Sequence, residues 1–444
     1  MKFRRLMLST AAAATTLTAA LAPATSAQAA EQFFPLLVYR TGPYAPNGTP
    51  FANGIQDYLK LVNERGGING VKAVWEECET GYNTAKGVEC YERLKNKNGG
   101  ASLFQPLSTG ITFALTEKAP IDKIPLLTAG YGRSESQDGG IFKWNFPTTG
   151  TYWVAADVLV KHVANLNGGL NKLKGKKIAL VYHDSPYGKE PIPLLEKRAA
   201  MHGFELQLLP VTHPGVEQKS QWLQIRRNRP DYVFLWGWGV MNSTAIKEAV
   251  ATGYPREKMF GVWWSGAEPD VVPAGDGAKG YNALALQHGP DEGSAVVKEI
   301  MEKVYAKGNG TGPKEKVGEV LYMRGLVAGL MATEAVRAAQ NKFGKGKQMT
   351  GEQVRWGLEN LKLSDIAVRS LGFGGVVKEI YADCNNHMGA AWSRIQTWDG
   401  KKWRMTSDWI EADYKVLNPL VKEWADKYGA EKGIKRRAAS DCNA

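Results

Sequence analysis

FFPLLVYRTGPYAPNGTPFANGIQDYLKLVNERGGINGVKAVWEE, residues 33–77, contains the pattern that sets the fold. A short apolar run, FFPLLVYR, reads as a buried strand. The next segment has apolar residues at helical spacing, predicting a helix over 50–63, and VKAVWEE returns to strand character. The alternation then repeats: a helix over 85–96, the run ASLFQ (101–105), a helix beginning near Thr109, and IPLLTAG (124–130). Strands alternating with helices predict βα units on a parallel sheet with helices on both faces.

A second series follows FPTTGTYW (146–153). It runs through a helix over 152–164, KKIALVYH, a helix over 193–202, FELQLLPV and a helix over 219–228. DYVFLWGWG, a helix after Ser243 and the strand MFGVWW complete it. About 414 residues beyond the leader exceed the size at which single cores stop growing, so two α/β lobes are expected. No low-complexity linker separates them, which predicts ordered crossovers between the lobes. GEVLYMRGLVAGLMATEAVRAAQ (318–340) reads as a long core helix whose methionines pack. Asp399-Gly400 inside RIQTWDGKKWRM marks a hairpin.

The first 30 residues read as a leader: MKFRR is a basic n-region, an Ala-rich apolar stretch follows, and Ala27-Gln28-Ala29 is an A-x-A cleavage motif. Cleavage is expected near Ala29 or Ala30. No cysteine stands there, so a lipid anchor is not expected, and no other stretch is apolar enough to span a bilayer. Without Lys2, Arg4 and Arg5 the formal charge falls from +12 to +9. The basic residues are scattered and the chain is exported, which argues against nucleic acid as a partner.

Cys78, Cys90, Cys384 and Cys442 are an even set in an oxidising compartment, implying two disulfides. Of three possible pairings, Cys78–Cys90 with Cys384–Cys442 is favoured: the first closes a local loop and the second staples the C-terminal tail. No metal is expected, because neither the cysteines nor His162, His183, His202, His213, His288 and His387 have ligand spacing. A G-x-S-x-G elbow is absent, KGKKIAL lacks the residues of a phosphate loop, and Gly130-Tyr131-Gly132 lacks the third glycine of a dinucleotide site. Neither an enzyme nor a cofactor is expected.

In QPLSTG (105–110), Ser108 and Thr109 stand where a helix should start. Their hydroxyls can cap orphan backbone N–H groups, or the same groups can receive an anion.

The chain resembles the periplasmic substrate-binding proteins of ABC transporters, of the branched-chain amino-acid (Leu/Ile/Val) type. The resemblance is carried by TGPYAPNGTPFANGIQDYLKLVNERGGINGV, QPLSTG, IPLLTAG, FPTTGTYW, IALVYHDSPYGKE, and GVWWSGAEPD followed by GAKGYNA. It implies two Rossmann-like lobes joined by three crossover strands, with a ligand cleft between them that closes like a hinged trap. Lobe one would hold 31–149 and 282–375; lobe two would hold 150–281 and 376–444, with the C-terminal hairpin and tail. The implied protein is a periplasmic monomer that hands a small molecule to a membrane permease; a ligand sensor is the other possibility. Ser108 matches the family serine that holds the ligand carboxylate, with Thr109 beside it. Gly130, Tyr131 and Gly132 form the loop that completes those contacts, although the family often has threonine at position 132. Tyr187 matches an aromatic that covers the ligand, and Trp238 stands where the family commonly has tyrosine.

Amino-acid-binding members place an acid after the strand matching MFGVW to pair with the ligand ammonium. Trp264 occupies that place here, beside Trp263. A buried ammonium without a counter-charge is costly, so the favoured ligand is an aromatic or otherwise flat apolar acid. Trp236, Trp238, Trp264, Tyr131 and Tyr187 offer faces for stacking. Glu268, four residues on, would supply the missing charge if the alignment shifts, which keeps amino acids and small amides as the alternative.

Overall fold

The computed structural model describes Met1 and residues 30–287, 293–390 and 392–442. The leader and its cleavage motif, apart from Met1 and Ala30, lie outside the described residues, as does His288. In the first lobe, β1 (Glu31–Val38) pairs in parallel with β2 (Lys72–Glu79). Helix α1 (Ala45–Glu64) connects them. It starts five residues earlier than expected, because Pro46 falls in the first turn, where its missing N–H would have had no helical partner. Helix α2 (Thr84–Leu94) follows β2. The run 101–105 contributes only single bridges, Gln105 to Leu36 and Phe104 to Leu126. Helices α3 (Thr109–Leu115) and α4 (Ala119–Asp122) precede the short parallel pair β3 (Leu126–Leu127) and β4 (Asn145–Phe146).

The chain then crosses to the second lobe. There α5 (Tyr152–Leu166), β5 (Lys177–His183), α6 (Pro186–Lys189), α7 (Ile192–His202), β6 (Glu205–Val211), α8 (Lys219–Asn228), β7 (Tyr232–Trp236), α9 (Val240–Thr252) and β8 (Met259–Gly261) follow in order. After α10 (Glu268–Val271) comes β9 (Asn282–Ala285). Residues 282–285 were expected in lobe one, but β9 pairs in parallel with β8 and belongs to the second sheet. Five parallel strands thus run in the order β6-β5-β7-β8-β9. The runs of β5, β7, β8 and β9 are buried on both faces, as inner parallel strands require, while the edge strand β6 is partly exposed.

A second crossing leads to α11 (Ala295–Lys303), α12 (Val320–Phe343), α13 (Gly351–Glu359), β10 (Lys362–Leu363) and α14 (Asp365–Ser370). Helix α12 is the long core helix expected from the sequence, and it packs on α1. The two helices touch at glycines: a β-carbon on Gly54 would sit 2.1 Å from the Tyr322 carbonyl oxygen, and one on Gly325 2.2 Å from that of Phe51. β11 (Ile380–Tyr381) pairs with β10, and the third crossing ends in β12 (Trp392–Trp398). β12 lies antiparallel to β9, β13 (Trp403–Met405) and β14 (Ile410–Glu411). The hairpin forms at Asp399, whose carboxylate accepts the Lys401 and Lys402 N–H groups.

The last helix, α15 (Tyr414–Lys432), was expected in lobe two with the rest of 376–444, but it returns to the first lobe, where Tyr428 stacks on Phe142. The Cys78–Cys90 and Cys384–Cys442 bonds both form. Among the described residues no helix is long and apolar enough to cross a membrane, and no group of three or more metal-ligating side chains converges.

Candidate ligand site

The two sheets present the carboxyl ends of their strands to a shared cleft, the place where open α/β sheets bind ligands. The cleft is closed over a cavity of about 280 Å³. Most of its wall comes from aromatic and hydroxyl residues within six positions of a strand end. Tyr39 follows β1, Tyr82 follows β2, and Leu107, Ser108 and Thr109 follow the bridge residues 104–105. Tyr131 follows β3, Tyr152 follows β4, Tyr187 follows β5, Trp238 follows β7 and Trp264 follows β8. Phe51 of α1 completes the wall.

Six of the eight residues singled out from the sequence therefore meet here: Ser108, Thr109, Tyr131, Tyr187, Trp238 and Trp264. Tyr39, Phe51, Tyr82, Leu107 and Tyr152 were missed. For three of them the signal was available, since Tyr39, Tyr82 and Tyr152 stand just beyond strand ends. Trp236, offered as a stacking face, lies within β7, is fully buried and does not line the cavity.

Gly130 and Gly132 do not line it either. The Gly130 carbonyl accepts both indole N–H groups of Trp263 (2.6 Å) and Trp264 (2.8 Å), which ties the two lobes together. At Gly132, the space a β-carbon would need is filled by Thr109 Cγ2 at 2.7 Å and the Glu190 carboxyl carbon at 3.0 Å. A threonine has no room there. The tryptophans lie past the end of a strand shorter than expected: β8 stops at Gly261, and 263–265 form a tight turn that swings both indoles toward the first lobe.

Ser108 caps α3; its hydroxyl accepts the Ile111 N–H at a long 3.4 Å. Thr109 Oγ1 is buried without a hydrogen-bond partner. Tyr131 is fully engaged, accepting the Leu107 N–H and donating to the Leu127 carbonyl. Tyr187 donates to the Gly237 carbonyl at 2.8 Å. The hydroxyls of Tyr39, Tyr82 and Tyr152 face Trp238, Ser108 and Thr109 respectively. Burial pushes the pKa of each upward, so they remain neutral hydroxyls.

Among the described residues no acid or base lines the cavity. The nearby acids are committed elsewhere. Glu268 accepts the Val320 N–H at the start of α12 (3.1 Å), and burial pushes its pKa up to about 8. Asp270 accepts from Asn47 (3.0 Å), Asn242 (2.9 Å) and the Ala267 N–H. Burial raises its pKa to about 6, those hydrogen bonds opposing the shift. Arg324 lies outside the wall with its guanidinium carbon 4.4 Å from the Trp264 ring centroid, donating to the Trp263 carbonyl.

Further bonds hold the cleft shut. The Val240 N–H donates to the Pro43 carbonyl (3.1 Å), and Tyr44 pairs with His183 (2.8 Å). Ser134 donates to Glu190 through both its N–H (3.0 Å) and its hydroxyl (2.5 Å). Burial, reinforced by the charge of Glu135, raises the Glu190 pKa; burial, reinforced by His213, lowers that of His183 to about 4.

With this architecture on the page, the comparison with known proteins is direct. Residues 31–402 match the family model described as periplasmic binding protein. The chain belongs to that family. Its fold is the two-lobe type I periplasmic binding fold. A solved protein from the Pseudomonas fluorescens group, described as an ABC transporter permease, is 42% identical with a TM-score of 0.86, covering 93% of this chain and all of its own. A Thermus thermophilus branched-chain amino-acid ABC transporter protein with bound valine shares the fold at 23% identity (TM-score 0.73, covering 88% of this chain and 99% of that one). A solute-binding protein from R. palustris in complex with benzoate shares it at 17% (TM-score 0.66, covering 86% and 98%). The Leu/Ile/Val-binding protein homolog 7 of Brucella abortus is 23% identical over 256 residues, which span 56% of this chain and 62% of that relative.

Proposed function

We propose that the protein is an exported solute-binding protein that captures a small carboxylate by lobe closure and delivers it to an ABC permease. The favoured ligand is an aromatic or flat apolar acid. One observation carries this reading: hydroxyls and aromatic faces line the cavity, and among the described residues no acid does. An α-ammonium would be buried there without a counter-charge. Trp264 stands where amino-acid binders of this family carry that acid, and Glu268, the alternative source of charge, is turned to the start of α12. Arg324 behind Trp264 further favours an anion over a cation.

Ser108 and Thr109 would receive the carboxylate, while Tyr131, Tyr187, Trp238 and Trp264 would enclose the apolar part. Flat aromatic rings make up most of the wall, which supports a flat ligand. The lobes would be 31–149 with the segment ending at 375 and α15 packed on it, and 150 through β9 with β12–β14. Lobe closure, rather than chemistry, would be the protein's work, and the periplasm its place. Mass spectrometry of whatever co-purifies, followed by calorimetry with benzoate, cinnamate, leucine and valine, tests the reading. Tight binding of leucine or valine with no response to either acid would end it.

A further inference from the structure

Two polar atoms on the cavity wall are buried and unpartnered, and they are chemically different. One is Thr109 Oγ1, which the carboxylate reading already employs. The other is the indole N–H of Trp238, a pure donor on the second lobe. Trp238 is 3% exposed and lines the cavity. The Tyr39 hydroxyl is near enough to interact with it but does not meet hydrogen-bond geometry, their rings meeting edge-on with centroids 6.2 Å apart, so Tyr39 is at best a weak partner. The neighbouring Trp264 shows the contrast: its N–H is held by the Gly130 carbonyl and is unavailable to a ligand. Leaving a buried donor unmet is costly, and a buried tryptophan N–H usually finds an acceptor; on a residue that lines the cavity, a ligand can supply it.

A carboxylate held at Ser108 and Thr109 does not account for this second donor. Resting on the aromatic-acid reading above, we propose that the ligand carries a second hydrogen-bond acceptor, a hydroxyl, methoxyl or carbonyl oxygen on its ring, and that Trp238 Nε1 donates to it. The ligand class is then oxygen-substituted aromatic acids, and Trp238 determines specificity within it. Tyr39, kept neutral by burial, donates or accepts beside the same oxygen. The neighbouring Trp264 N–H is already committed to Gly130, so an analogue with a methyl group in the oxygen's place leaves the Trp238 N–H with only the weak Tyr39 contact on closing.

The test compares matched probes. Benzoate, the three positional hydroxybenzoates and the three methylbenzoates are titrated into the full chain by calorimetry. The expected result is that at least one hydroxybenzoate binds more than about tenfold tighter than its methyl counterpart, the scale of one satisfied buried hydrogen bond. The ratio should collapse toward one in Trp238→Phe, which keeps a ring and removes the donor. Equal affinities for every hydroxy–methyl pair in the wild type overturn the proposal even if the variant does not fold, and so does a preference that survives Trp238→Phe. In either case binding of the plain acids leaves the carboxylate reading standing. If no aromatic acid binds while leucine or valine does, both readings fall together.

Discussion

Replacing Glu268 by glutamine should make the protein more stable above neutral pH and leave it little changed in acid. Glu268 is partly buried where α10 of the second lobe meets α12, and its carboxyl accepts the Val320 N–H. Burial raises its pKa from 4.5 to about 8. A raised acid pKa means that the folded state holds a proton the unfolded state releases. The stability tied to that proton is fully present below about pH 4.5 and is lost as pH rises through about 8. Integrating between pH 6 and pH 8 gives a loss of about 2 kcal/mol from this one group. Glutamine stays neutral and keeps an acceptor oxygen for Val320, so the variant should escape that loss. Urea unfolding at pH 6, 7 and 8 reads the difference directly.

The same group should respond to ligand. If closing buries Glu268, binding at pH 7 takes up about 0.9 proton, measurable by calorimetry in buffers of different ionisation enthalpy. Glu190 acts in the same direction, because its pKa is also raised. His183, lowered to about 4, acts oppositely: its stabilisation is present above pH 6.5 and lost as pH falls toward 4. Parallel pH profiles of wild type and Glu268→Gln, in both unfolding and proton uptake, would refute the reasoning.

Ser108→Ala should cost only about 0.5 kcal/mol of stability, because the cap bond is long. It should weaken an acid ligand by about 1.5–3 kcal/mol in calorimetry. Gly54→Ala should lower stability by about 3 kcal/mol in urea unfolding, since its β-carbon would strike the Tyr322 carbonyl and only a shift between α1 and α12 relieves it. Removing the Cys384–Cys442 bond with Cys384→Ser and Cys442→Ser closes a separation of 58 residues no longer. The chain-entropy ceiling for that loss is about 4 kcal/mol, readable as a drop in Tm with the tail becoming sensitive to protease.

Much of the molecule was legible in the residues themselves. The alternation of apolar runs and helical periodicities is local, so the βα order, the helices 219–228 and 318–340, and the hairpin at Asp399 could be read without a structure. Ser108 was legible as a cap for the same reason: an N-cap hydroxyl acts on N–H groups two or three residues away. The cysteine pairing followed from which loops the bonds would close. Tertiary structure decided what depends on partners distant in sequence. The strand 282–285 joined the second sheet because β8 and β12 flank it, and local pattern does not say which strand, near or distant in sequence, a given strand will pair with. Gly130 turned out to bind two indoles rather than face the cavity, because a turn after β8 carries Trp263 and Trp264 across the cleft. Sequence placed an aromatic where an acid was expected. Only the folded chain decided that Trp264's N–H is occupied and Trp238's is not, because that depends on which carbonyl the closed lobes bring within reach of each ring.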